Sequence, residues 1–95
     1  MMQGSRLIPS RVVFIQIDVA VGSVKEEHIF YTERAFGAKM WKMISPELGM
    51  GILIVKCLCQ DGGTEEVYLF PLDKVTQVKF IDSIGAKKES AILVD

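Results

Sequence analysis

Histidine is almost missing from this chain: His28 is the single one among 95 residues. A serine or cysteine nucleophile needs a base at hand, so any Ser-His-Asp or Cys-His arrangement would have to be built on that residue. Its neighbours are Glu26 and Glu27, and side chains adjacent along a helix or strand diverge, so a surface charge cluster is a simpler reading than a metal site. Cysteine is nearly as scarce. Cys57 and Cys59 stand two apart, which on a strand puts them on one face, where a bridge between them would buckle the backbone. A thiolate zinc site takes about four ligands, more than these three side chains supply. Two reduced core thiols are expected, and reduced thiols fit a cytoplasmic setting.

Neither sign of charge is in excess. Eleven Lys and Arg face 12 Asp and Glu, for a formal net charge of −1 and a pI near 5.8. No general field draws the protein to nucleic acid or an anionic membrane, so any such contact needs a local patch. Long apolar runs are missing too: none approaches the roughly 18 residues of a membrane span. Gln16 and Asp18 interrupt the run that begins at Val12, and no small-residue cleavage site follows, which excludes a secretory signal there. Gly49-Met50-Gly51 is too short for a phosphate loop, and Glu65-Glu66 reads as a solubilising pair at a hairpin shoulder. The expectation is a soluble cytoplasmic protein that is not an enzyme, with no catalytic residue, metal ligand or cofactor site.

What the chain does have is apolar strand pattern. Hydrophobic residues make up 49% of it and mean hydropathy is +0.30, high for one small domain; apolar surface left over in such a domain commonly goes into a subunit interface. Met50 to Asp82 organises the rest. Ile52 to Cys59 puts Leu53, Val55, Cys57 and Cys59 on one face and Ile52, Ile54 and Leu58 on the other, the pattern of a strand buried on nearly both sides. Asp61-Gly62-Gly63 has the residues of a tight hairpin turn. Glu66 to Phe70 returns and stops at Pro71, Leu72-Asp73-Lys74 makes one turn, and Val75 to Ile81 resumes with Val78 and Phe80 on one face and Gln77 and Lys79 on the other. Val12 to Val21 is another strand, ended by Gly22-Ser23, in which Asp18 is expected to be solvated or bonded to a loop. A strand, a single proline-containing turn and a short closing strand resemble the end of an SH3-like or Sm-like small barrel. The fold class is therefore mainly β, a β-rich α+β chain built as a small antiparallel barrel or strongly bent sheet with one possible helix.

That helix would lie in Lys25 to Ile44, where Ile29, Phe30, Phe36, Met40, Trp41, Met43 and Ile44 form one stripe, against Glu33 and Gly37. The competing reading is a hairpin of His28–Glu33 and Ala38–Ile44; the helix is favoured. Ser45-Pro46-Glu47-Leu48-Gly49 is a turn under either reading. Residues 1–10 are expected to be a flexible leader and 11–95 a single domain. The domain ends in a charged linker and an apolar tail, Ala91 to Val94, a last strand on its own sheet or on a neighbour's edge.

Three functions follow. The first is a non-enzymatic interaction module that self-associates as a homo-oligomer and binds a partner protein, in the manner of a small viral or bacterial accessory or inhibitor protein; Ile92, Leu93 and Val94 are its candidate contact residues. The second is a small barrel for single-stranded RNA or DNA, with Lys39, Trp41 and Lys42 as a stacking and phosphate patch. The third is an oligomer enclosing a small ligand between subunits.

Overall fold

The computed structural model describes residues 9–33 and 39–81, together with the backbone of 89–92. Apolar residues alternating along the chain set the strands: β1 (Phe14–Val21), β2 (Val24–Tyr31), β3 (Met43–Gly49), β4 (Ile52–Leu58), β5 (Glu65–Pro71), β6 (Val75–Ile81) and β7 (Glu89–Ile92), with a 3-10 turn at Leu72–Lys74. All ladders are antiparallel. They form a four-stranded sheet in the order β2-β1-β6-β7 and a three-stranded sheet in the order β3-β4-β5. Among the described residues the ladders do not close into a barrel. One bridge, Val12 to Ile44, ties the chain ahead of β1 to β3, and the Leu72 N–H donates to Gly51 O at 2.9 Å beside the turn between β3 and β4. No helix among the described residues is long and apolar enough to cross a membrane.

The chain reverses at glycines with positive φ, a region that only glycine enters without strain. Gly22-Ser23 joins β1 to β2, and Gly22 sits at φ +64°. Positive φ at the first of two loop residues alone is the pattern of a type II′ turn, whose twist suits a hairpin. Asp61-Gly62-Gly63 joins β4 to β5 as expected, with Gly62 at φ +77°. Asp61 Oδ1 accepts from the N–H groups of Gly63 at 2.8 Å and Thr64 at 3.0 Å, and Oδ2 accepts from the Thr64 hydroxyl at 2.9 Å. These bonds hold the Asp61 carboxyl below its ordinary pKa, because each favours the ionised form.

The sheets pack by their inner faces. Ile15, Ile17, Val19, Phe30, Val75, Val78 and Phe80 meet Ile44, Leu53, Val55, Cys57 and Phe70 in one core, which Val12 and Trp41 complete. Val75 reaches that core through a bulge. Asp18 pairs with Gln77 but Val19 pairs with Val75, so Thr76 is the extra residue, and its hydroxyl donates to Asp18 O at 3.3 Å. The bulge changes the phase of the alternation, so that Val75 and Val78 both point inward.

Three expectations are corrected here. The helix across Lys25 to Ile44 is not formed in the described part of that stretch. Val24–Tyr31 pairs with β1 through the Gly22-Ser23 turn, where alternation brings His28 and Phe30 to the inner side, and Met43–Gly49 pairs with β4. The competing hairpin is replaced for the same reason; its loop, 34–37, and Ala38 lie outside the described residues. Ser45 to Gly49 is strand rather than turn: Pro46 is buried opposite Val55, at a sheet edge, where a missing N–H is tolerated. Asp18 is not solvated but 4% exposed. It accepts from Gln16 Nε2 at 2.9 Å and faces Lys25 Nζ at 3.9 Å, because β1 is an interior strand, flanked at this level by Glu27 and Gln77. The tail forms β7 on β6 of its own sheet, with Ile92 opposite Val78; Leu93, Val94 and most of the expected leader lie outside the described residues.

The turn yields two expectations. Gly62→Val forces a branched side chain to φ +77° and should lower stability by about 1 kcal/mol or more; an unchanged denaturant midpoint would contradict the assignment. Asp61→Ala should lower the denaturant midpoint at neutral pH. The folded carboxyl is more acidic than the ordinary value of 3.8, so its contribution is present above that value and lost as pH falls through the folded one. The gap between Asp61→Ala and the natural chain should therefore close in acid, as chemical denaturation at several pH values would show.

Candidate functional site

Two surfaces stand out, and both involve β5. The first is the seam where the inner side of β5 meets β2. The His28 ring lies 5.0 Å from that of Phe70, Phe30 lies 4.9 Å from Tyr68 and 6.4 Å from Phe70, and Trp41 lies 6.2 Å from Tyr68. The tilted and edge-on arrangements are those that aromatic quadrupoles favour. Carboxylates stand on both sides: Glu26 Oε1 is 3.3 Å from His28 Nε2, and Glu66 Oε1 accepts from the Tyr68 hydroxyl at 2.6 Å. That bond keeps the phenol protonated and pushes its pKa to about 12, with partial burial adding to the effect.

Trp41 ends the row, its backbone N–H donating to Tyr31 O at 2.9 Å. Lys39 Nζ sits 4.9 Å from the centre of its ring, a cation–π contact. The structure thus brings Lys39 and Trp41 together, but the indole is only 5% exposed and serves as core. It offers no open face for a base. Lys42 is exposed and lies beside the β4–β5 turn, its Nζ 3.6 Å from where a Cβ on Gly62 would stand. Ile92 lies on β7, at the opposite edge of the four-stranded sheet from β2.

The thiols are free but unequal. Cys57 is fully buried, and burial first, then Glu66, pushes its pKa to about 12. Cys59 falls just beyond β4 and is half-buried, so the expectation of two core thiols holds for Cys57 only. Its pKa is also raised, by desolvation and then by Glu66 and Asp61. Among the described residues no three His, Cys, Asp or Glu side chains are placed to hold a metal ion.

The second surface is the outer face of the three-stranded sheet. Register places Ile54 between Glu47 and Leu69, Lys56 between Ser45 and Val67, Ile52 between Gly49 and Pro71, and Leu58 between Met43 and Glu65. Ile52 is exposed, as are Val67 at 50% and Leu69 at 59%, while Ile54 and Leu58 are half-buried. Lys56 Nζ reaches Glu47 Oε1 at 3.2 Å, so a charge pair lies on the β3 side of the face and the exposed apolar side chains of Val67 and Leu69 on the β5 side. Scanned against family models, curated proteins and solved structures, the chain matches none.

The outer face corrects the reading of β4 as a strand buried on nearly both sides: one face is core and the other is open. The signal was in the sequence, since Ile52, Ile54 and Leu58 repeat with period two. Whether a second layer covers such a face is decided by the path of the chain, which a strand pattern does not contain. Val67 and Leu69 alternate with Glu66, Tyr68 and Phe70, and alternation alone puts them on the wet side of β5.

The thiols give a direct test. Near pH 8 an alkylating reagent should label Cys59 well before Cys57, and denaturant should bring the two rates together, as peptide mass mapping over time would show. The sign for stability follows: the unfolded Cys57 thiol ionises near 9.0 and the folded one only near 12, so its contribution is present below 9.0 and lost as pH rises through 12. Equal rapid labelling of both thiols in the native protein would contradict the buried position of Cys57.

Proposed function

We propose that this chain is a non-enzymatic interaction module that self-associates and binds a partner protein. The observation that carries the reading is the outer face of β3-β4-β5, where exposed Ile52, Val67 and Leu69 lie on neighbouring rows around half-buried Ile54. Contiguous exposed apolar surface on a small domain marks a protein contact more often than it marks anything else. The sheets are read as the halves of an SH3-like or Sm-like barrel, supported by the succession of β5, a 3-10 turn and β6, and by the return of β6 beside β1. Such a module acts in the cytoplasm by occupying its partner, as a small accessory or inhibitor protein does. The competing reading, a binder of single-stranded nucleic acid, is weakened by the buried indole of Trp41, since stacking needs an open ring face.

Native mass spectrometry of protein purified from its host tests the reading. The expected result is a set of species at multiples of 10.6 kDa, with or without a second protein, that falls to the monomer in the Ile52→Glu, Ile54→Glu double variant. A bare monomer at all concentrations would overturn self-association, and co-purifying oligonucleotide would favour the competing reading.

A further inference from the structure

The free edge of β5 can be read bond by bond. The N–H of Cys59 donates to Thr64 O at 2.8 Å, and that of Leu72 donates to Gly51 O at 2.9 Å. Both bonds continue the β4–β5 register, in which Leu58 faces Glu65 and Ile52 faces Pro71. Hydrogen-bonded and non-hydrogen-bonded pairs alternate in an antiparallel ladder. The pairs between those ends that exchange bonds are therefore Cys57 with Glu66, Val55 with Tyr68, and Leu53 with Phe70. Glu65, Val67, Leu69 and Pro71 turn their backbone groups the other way, to the side on which no strand lies among the described residues. Pro71, which has no N–H, occupies one of these outward positions and costs the β4 ladder nothing.

We infer that this edge pairs antiparallel with the β5 edge of a second copy, about a two-fold axis at Tyr68, so that Val67 of each copy lies opposite Leu69 of the other. The inference rests on the self-association reading and names its contact. Three observations select the partner and the register. First, the edge is self-complementary: Val67 and Leu69 each present an outward N–H and C=O, so each Val67–Leu69 pair between copies exchanges both bonds, and the Glu65 N–H meets the Pro71 carbonyl of the second copy. Second, charge suits this register. Glu65 and Glu66 of the two copies lie at opposite ends of the ladder; sliding the copies toward those ends draws the Glu66 side chains toward each other, and sliding them apart shortens the ladder at the Leu72–Lys74 turn. Third, the edges of β2 and β3 are defended. β2 carries exposed Lys25, Glu26 and Glu27 along its length, the kind of charge that blocks edge pairing. β3 has buried Pro46 and the bridge from Val12. The middle of β5 carries exposed Val67 and Leu69 instead. In the joined sheet Leu69 lies between Ile54 of its own copy and Val67 of the second, and Val67 lies beside Lys56, so the apolar side chains of the two outer faces become continuous across the seam.

The test separates the edge from the face. Leu69→Pro removes an outward N–H without touching the β4 ladder, and should raise the dissociation constant of the full-length assembly at least tenfold by sedimentation velocity, with far-UV circular dichroism unchanged. Leu69→Ala, which keeps the N–H, should raise it less. Register is read separately by mixing Val67→Cys chains with Leu69→Cys chains, each also carrying Cys59→Ser. Mild oxidation should link the mixed pair and leave Val67→Cys chains alone largely unlinked. If the natural chain self-associates, yet Leu69→Pro leaves the constant unchanged or the mixed pair fails to link, the edge pairing is wrong while self-association stands. A natural chain that is monomeric throughout overturns both. Should Leu69→Pro unfold, the mixed-pair result decides alone.

Discussion

The structure depends on β1 and β4, which, like β6, have neighbours on both sides. β1 and β4 are interior in their sheets, so their backbone groups are paired without help from water, and their inward side chains can be sealed completely. Ile15 and Ile17 on one, and Leu53, Val55 and Cys57 on the other, have no exposure at all. Burial of this kind is worth roughly 1.5–3 kcal/mol for each large aliphatic side chain before conformational entropy is counted. What is unfinished in the sheets is thereby left to the outer strands. The carboxylates of Glu26 and Glu66, the capped aromatic row and the open edge of β5 all lie where β2 and β5 have one neighbour instead of two.

Much of this was legible where local chemistry and tertiary packing ask for the same thing. Asp61-Gly62-Gly63 could be read as a turn because positive φ and side-chain capping are demands of a few adjacent residues. The strands that flank it, and the span of β6, could be read because their alternation meets a buried face. Lys25 to Ile44 failed for the opposite reason. Its apolar residues suit a helical stripe locally, and the competitor that won, pairing of Val24–Tyr31 with β1, is supplied by the preceding strand and by the turn at Gly22-Ser23. Pro46 misled for a related reason, since proline signals a turn unless the strand that holds it is an edge.

For the candidate site, sequence identified the residues better than their roles. Lys39 and Trp41 do meet, and the contact buries the indole instead of presenting it, because the ring completes the row that runs through Tyr68 and Phe30. The apolar face of Ile52 and Ile54 was visible as a repeat and was assigned to the interior, because a strand with two apolar faces usually has two layers to pack against. Here the second layer is not part of the described fold. The difference between Cys57 and Cys59 was likewise out of reach: period two gives both the same side, but β4 ends between them and the chain turns away toward Gln60.

The bulge in β6 has a consequence for how the chain tolerates changes in length. A strand with perfect alternation cannot lose or gain a residue without turning its core side outward beyond the change. β6 follows its path along β1 with one residue more than that path requires, and Thr76 is the surplus. Val75 on one side of it and Val78 on the other already keep opposite phases of the alternation. Thr76 is thus the place in β6 where the gene can drop a codon and leave Val75, Val78 and Phe80 all facing the core.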